Sequence, residues 1–218
     1  MIKQEIDTIN QILQKTNARL IAVSKYYPVE DVKTAYDCGQ RLFGESREQE
    51  LRLKQMALPK DIRWHFIGHL QTNKVKYIVP YISLIHSVDS VKLLEEINKQ
   101  GEKINRKINV LLQVYIAKEE NKYGFDEKDL LQYFSTEAYK NLDYINFCGI
   151  MGMATNTDDK EEIRREFRQL RKTFEIVKSS FFKDNHSFCE LSMGMSEDFQ
   201  IAIEEGATLI RIGSRIFQ

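Results

Sequence analysis

The chain has 218 residues, 42% of them hydrophobic, which is enough for one large buried core and is read as a single domain over residues 1–218. Lysine plus arginine (32) equals aspartate plus glutamate (32), which argues against a nucleic-acid-binding face or a polybasic membrane patch. The three cysteines (Cys38, Cys148, Cys189) are scattered without a CxxC spacing, so neither a disulfide framework nor a zinc site is expected. His65 and His69 are close in sequence but lie across a strand end and a glycine, so no metal site is expected there either. The opening MIKQEIDTINQILQ is polar, and no apolar run approaches the roughly 20 residues that span a bilayer, so a cytoplasmic protein is expected.

In chain order, Ile6, Ile9, Ile12 and Leu13 mark a first helix ahead of an apolar run at residues 19–24 (RLIAVS). A weaker run at 41–44 (RLFG) and a stronger one at 63–67 (RWHFI) come next. Residues 82–88 (ISLIHSV) lead into a helical pattern of Val91, Leu94 and Ile97, which Asp89 or Ser90 can cap and Gly101 can stop. Runs at 108–116 (INVLLQVYI) and 145–151 (INFCGIM) precede the clearest helix, 158–179. Its Ile163, Phe167, Leu170, Phe174 and Val177 share one face, and Asp158 with Glu161 offers a capping box. The last runs are 188–192 (FCELS) and 208–212 (TLIRI), separated by a helix that Ser196 can cap, running through Ile203 and ended by Gly206.

These runs are nearly continuous in apolar character, as expected for a parallel sheet covered on both faces. Eight of them, each followed by a helix or turn, predict an α/β protein built as one (β/α)8 TIM barrel with an extra N-terminal helix. An open doubly wound sheet would want a glycine-rich turn after its first strand, and SKYYP contains no glycine.

In such a barrel the active site lies at the carboxyl ends of the strands, and phosphate often binds at the loops after strands seven and eight. Those loops are LSMGMSED (191–198) and RIGSR (211–215), each with glycine beside serine, so that backbone N–H groups and hydroxyls can meet an anion. Two ordinary turns with a helix cap would read the same way. Glu197 and Asp198, placed in the first turn after Ser196, would repel a dianion, which favours Ser192, Gly194, Gly213 and Ser214 as the cradle. Lys25, at the exit of the first strand, is either a snorkelling surface lysine or a nucleophile toward an aldehyde, and sequence alone does not choose. Arg211 sits between Ile210 and Ile212, so its buried donors need an acceptor, either a carboxylate such as Glu190 or a ligand atom. His65 reads as a satisfied core histidine rather than a catalyst.

The segments AVSKYYP, RLFGESREQE, WHFIGHLQTNK, HSVD, GIMGMA and LSMGMSEDFQIAIEEGATLIRIGSRIF resemble, in order and spacing, the YggS/PROSC family of pyridoxal phosphate homeostasis proteins. The resemblance covers nearly the whole chain. It implies a barrel like the N-terminal domain of alanine racemase and other fold-type III enzymes, with pyridoxal 5'-phosphate as cofactor. It further implies that Lys25 forms the internal aldimine, that Ser192, Gly213 and Ser214 hold the phosphate, and that Arg211 faces the pyridine nitrogen. Asn73, Lys74 and Met151 correspond to positions near the ring. Ser46 stands where the family usually has asparagine after FGE, which leaves the contact of that longer amide in question.

An arginine at the ring nitrogen can only donate, so it should keep that nitrogen unprotonated and weaken the electron sink that carbanion chemistry uses. Alanine racemase adds a tyrosine base from a second domain of a partner subunit, and this chain is too short for one. The expected function is therefore a holder of pyridoxal phosphate that takes part in its intracellular homeostasis or delivery, with apo-enzymes as recipients, acting as a monomer. The alternative is a weak amino-acid racemase or transaminase with Lys25 as base. A cofactor-free Schiff-base aldolase is the third reading.

Overall fold

The computed structural model describes residues 1–118 and 123–218. Eight parallel strands close into a barrel in sequence order: β1 (Arg19–Val23), β2 (Leu42–Glu45), β3 (Arg63–Phe66), β4 (Leu84–Val88), β5 (Ile108–Gln113), β6 (Ile145–Met151), β7 (Glu190–Ser192) and β8 (Leu209–Ile212). Closure is direct, because β8 pairs with β1 from Arg19↔Leu209 to Ala22↔Ile212. The open doubly wound alternative is thereby excluded. Around the barrel lie α1 (Ile2–Leu13), α2 (Val29–Asp37), α3 (Glu48–Ala57), α4 (Val75–Ile78), α5 (Val91–Lys103), α6 (Glu127–Ser135), α7 (Lys160–Phe181), α8 (Phe199–Glu204) and α9 (Ser214–Phe217). No helix among the described residues is long and apolar enough to cross a membrane.

Every expected strand is present, and the differences lie at element ends. Gly101 does not stop α5; it is buried within the helix, where a Cβ would meet the Arg106 carbonyl oxygen at 2.7 Å as the chain turns back. Its role is close packing. The cap of α7 is Asp159 rather than Asp158, its carboxylate accepting from the N–H groups of Glu161 and Glu162 at 3.0 and 3.2 Å. Likewise α8 begins after Asp198, so Ser196 is not a cap.

Apolar side chains divide into two shells. The larger packs the helices onto the outer face of the barrel, and includes an aromatic group in which Phe182 stacks on Phe188 at 4.5 Å and meets Phe134 edge-on at 5.2 Å. The smaller fills the barrel interior with Ile21, Leu42, Leu84, Leu111, Cys148, Met151 and Leu209. Strand side chains alternate between faces, so positions two residues beyond these also point inward. By that count Val23, His86 and Arg211 form a further interior layer toward the carboxyl ends, and polar residues enter an otherwise apolar core.

Candidate functional site

The exit of β1 is fixed from below. Ser24 is fully buried, its carbonyl accepts from the Tyr27 N–H at 3.1 Å and from Lys54 Nζ at 2.7 Å, and its hydroxyl donates to Glu45 Oε1 at 2.7 Å. Tyr26 follows in the left-handed region, φ 70°, with its N–H donating to Glu50 Oε2 at 3.1 Å. Lys25 is held between these anchored neighbours. It is half-buried, its Nζ lies 5.6 Å from the Tyr26 ring centroid, and it has no carboxylate partner among the described residues. An amine fixed at the backbone but unpaired at its head suits a nucleophile better than a structural ion pair.

Two turns face it. After β7, Gly194 adopts φ +95°, and a Cβ there would come within 2.6 Å of Ala202 Cβ and 3.0 Å of Phe199 Cα. Asp198 folds its carboxylate back onto the Met195 N–H at 2.5 Å and is largely buried, which pushes its pKa up. The carboxylate is thus turned onto the backbone of its own loop and does not line the cavity that Lys25 and Arg211 share. After β8, Gly213 lies so close to β1 that a Cβ would meet the Val23 carbonyl oxygen at 3.0 Å. The two turns touch where Ser214 Oγ donates to Ser196 Oγ at 3.3 Å.

Lys25, Arg211, Gly213 and Ser214 line one cavity of about 390 Å³ at the carboxyl end of the barrel, together with Ser46 and Ser196. Val23, Ile67, Met153 and Met195 supply its apolar walls, and Tyr27, stacked on Phe217 at 4.7 Å, supplies one side. Among the described lining residues none is a carboxylate-bearing side chain or a histidine.

Arg211 is anchored from beneath, donating through Nη1 to Ser192 Oγ at 2.6 Å and through Nη2 to the Gly152 carbonyl at 3.1 Å. Burial lowers its pKa to about 10, which still leaves it charged at neutral pH. Glu190, the carboxylate considered as its partner, instead pairs with Arg19 and accepts from Thr208 Oγ1 at 2.7 Å. His86 Nδ1 is 2.9 Å from Ser192 Oγ, and His86 Nε2 is 2.9 Å from His65 Nδ1. His65 is thus a core histidine.

Five expected site residues, Ser192, Met151, Gly194, Asn73 and Lys74, are not brought to the cavity. Ser192 is fully buried, with its hydroxyl taken up between His86 and Arg211. Met151 belongs to the interior shell, and Gly194 shapes the turn without lining the cavity. Asn73 is exposed on the short turn Thr72–Lys74, whose Lys74 pairs with Glu48 at 3.5 Å. Reading the sequence missed Ser196, Met195 and Met153. The signal was available for Ser196, since LSMGMS carries a second serine just beyond the strand, where a hydroxyl clears the barrel wall. No cluster of metal-ligating side chains occurs among the described residues.

Fold and site together define a class: a parallel eightfold barrel with one lysine, one buried arginine and a paired-serine turn at its carboxyl end. The family model for the alanine racemase N-terminal domain matches residues 1–218. A pyridoxal phosphate homeostasis protein of Aquifex aeolicus is 40% identical over 201 residues, covering 92% of this chain and 86% of the relative. PipY of Synechococcus elongatus, solved with pyridoxal phosphate bound, superposes with a TM-score of 0.89 at 33% identity over the whole of both chains. An alanine racemase of Clostridium difficile shares the fold, with a TM-score of 0.74 at 15% identity, over 99% of this chain and 55% of that one. The chain belongs to the alanine racemase N-terminal domain family and, within it, to the pyridoxal phosphate homeostasis proteins.

Proposed function

We propose that this protein binds pyridoxal 5'-phosphate at the carboxyl end of its barrel and serves to hold and deliver it. The observation that carries the reading is the meeting of Lys25, Arg211 and the Ser196–Ser214 hydroxyl pair in one cavity of about 390 Å³. Those residues fit the group. An amine without a carboxylate partner suits an aldehyde, adjacent hydroxyls beside a glycine suit a phosphate, and the walls of Val23, Ile67, Met153 and Met195 suit an aromatic ring. When bound, the cofactor supplies an electrophilic aldehyde and a conjugated ring that can accept electrons.

The chain's own residues divide the work. Lys25 supplies the nucleophilic amine and keeps its bearing because Ser24 and Tyr26 are tied to Lys54, Glu45 and Glu50. Ser196 and Ser214 donate to the anionic tail, and Gly213 leaves room for it beside the backbone. Arg211, held by Ser192 and Gly152, presents a charged donor to the ring, where it opposes protonation of the ring nitrogen. The described lining residues include no carboxylate or histidine side chain. The two tyrosines that could carry a second proton, Tyr26 and Tyr27, have no hydrogen-bond partner for their hydroxyls among the described residues, so two-base racemisation would rest on an unassisted tyrosine. Storage is therefore favoured over turnover.

The same reading has the protein working in the cytoplasm as a monomer of one domain, with apo-enzymes that use pyridoxal phosphate as recipients. The test is the visible spectrum of freshly purified protein beside Lys25→Ala. Wild type should show an absorption band that borohydride bleaches, and the variant should lack it. A colourless protein that also fails to take up added pyridoxal phosphate would overturn the proposal. Amino-acid-independent transfer of cofactor to an apo-enzyme, without α-deuterium exchange into added amino acids, separates the holder from the racemase.

A further inference from the structure

The opposite, amino-terminal mouth of the barrel carries a second polar cavity, of about 350 Å³, for which the function proposed above has no use. Arg19, Arg63, Arg106, His65, Asn109 and Glu190 line it over a floor of interior leucines. Three guanidinium groups face one carboxylate. That carboxylate, Glu190, is already committed to Arg19 and to the Thr208 hydroxyl. Arg106 is braced by the Val79 and Ile82 carbonyls, which fixes its plane. Arg63 has no hydrogen-bond or ion-pair partner for its guanidinium among the described residues.

His65 supplies the second, independent pointer. It is 5% exposed and spends Nδ1 on His86, leaving Nε2 without a partner among the described residues at the edge of this cavity. The direction of the buried chain fixes what that atom offers. Arg211 can only donate, so the Ser192 hydroxyl accepts from it; the hydroxyl's own hydrogen, fully buried, has no other acceptor among the described residues and is therefore assigned to His86 Nδ1. His86 then carries its proton on Nε2 and donates to His65 Nδ1, which places the His65 proton on Nε2, facing the lower mouth. Burial, with Arg19 and Arg63 nearby, holds the His65 pKa at about 3, so the ring stays neutral and Nε2 keeps its N–H. Most of the charged and polar groups around this cavity are thus donors.

We propose that the amino-terminal mouth of the barrel is a second ligand site, taking a small oxyanion of phosphate size or a short phosphate monoester. The anion sits between the Arg63 and Arg19 guanidinium groups and accepts from His65 Nε2 and from the second N–H of Asn109, whose first is given to the Ser83 carbonyl at 3.0 Å. Acceptor-only oxygens match this donor set, whereas a cation or an apolar ligand would leave the guanidinium groups unanswered.

The probe is inorganic phosphate, titrated into protein loaded with one equivalent of pyridoxal phosphate and freed of excess, followed by calorimetry and by the imidazole nitrogen resonances of His65. One phosphate per chain should bind, with a shift of the His65 Nε2 signal. Arg63→Gln removes an exposed side chain without partners, so the fold and the loading of the upper cavity should persist while phosphate affinity falls about tenfold. Absence of saturable binding would overturn the site. So would a titration that Arg63→Gln leaves unchanged and to which His65 does not respond. Because Arg63 lies at the other end of the barrel from Lys25, loss of phosphate binding in this variant is distinguishable from failure of the upper cavity to take cofactor.

Discussion

Lys54 Nζ lies 2.6 Å from Glu45 Oε1, and the two side chains are only 6% and 0% exposed. The same ammonium also donates to the Ser24 carbonyl, so this buried pair is what ties α3 to the strand exit that presents Lys25. The second carboxylate oxygen, Glu45 Oε2, has no partner among the described residues, and burial raises the pKa of the group despite Lys54 and Ser24. Replacing Lys54 by methionine strands a buried carboxylate. The expected loss is about 3–5 kcal/mol of unfolding free energy at neutral pH, read by urea denaturation. The double variant Lys54→Met/Glu45→Leu should recover most of it, because no charge is left behind. A single variant no worse than the double would show that the pair is not the tie described.

The two interior histidines predict a pH dependence. Burial pushes both pKa values down, His65 to about 3 and His86 well below its ordinary 6.5, whereas in the unfolded chain each binds a proton near pH 6.5. Below that value the unfolded state holds more protons than the folded one, so stability falls as pH falls. Their contribution is complete above about pH 6.5 and is lost progressively toward acid, at about 1.4 kcal/mol per pH unit for each ring. Urea titrations at pH 7, 6 and 5 should therefore show unfolding free energy dropping with a slope approaching two protons. A flat profile over that interval would mean that one or both rings charge inside the barrel.

The cradle prediction separates two serines that the motif alone does not. Ser214→Ala and Ser196→Ala each remove a hydroxyl from the cavity, and each should weaken binding of pyridoxal phosphate about tenfold while leaving binding of unphosphorylated pyridoxal nearly unchanged. Ser192→Ala acts elsewhere. It deprives Arg211 of its buried acceptor and His86 of its donor, so stability should fall by about 1–3 kcal/mol, with the preference for the phosphorylated vitamer kept. Measured dissociation constants for both vitamers across the three variants decide the assignment. If Ser192→Ala abolishes the preference, the phosphate sits deeper than the Ser196–Ser214 pair.

The barrel was legible because its signals are local and repeated. Short apolar runs such as RLIAVS and TLIRI read as doubly covered strands, and their closure into one ring agrees with the helix or turn expected after each. The meeting of Lys25 and the RIGS turn at one rim was legible as well, through strand-exit position, whereas the residues alone did not say what Lys25 does there. What stayed hidden depends on distant partners. Nothing within LSMGMS says that its first serine turns inward to Arg211 while its second reaches the cavity; that follows from the pairing of β7 with β8 and from the inward layer of His86 and Arg211. Nor does the sequence show that the Asp198 carboxylate folds back onto the Met195 N–H of its own loop. The lower-mouth cluster joins residues from β1, β3, β5 and β7 with the turn after α5, and no window of sequence brings these together.

Gly194 joins fold to site most tightly. Its φ of +95° is unfavourable for any side chain, and an added Cβ would press on Ala202 and Phe199 of α8 at 2.6 and 3.0 Å. Relief requires α8 to move outward, which draws the intervening turn and Ser196 away from Ser214. Gly194→Ala should therefore lower stability by about 1–3 kcal/mol and also weaken pyridoxal phosphate binding, although the residue does not itself line the cavity and meets it only through its carbonyl, which accepts from the Arg211 N–H at 2.9 Å. Gly206, on the far end of the same helix, is the control. It too has a positive φ, +96°, but its Cβ would meet nothing nearer than Arg171 Nη1 at 3.4 Å, the end of a flexible side chain. Gly206→Ala should match the conformational part of the stability loss and leave cofactor affinity unchanged. Equal effects of the two variants on affinity would assign the loss to general destabilisation instead of to displacement of Ser196.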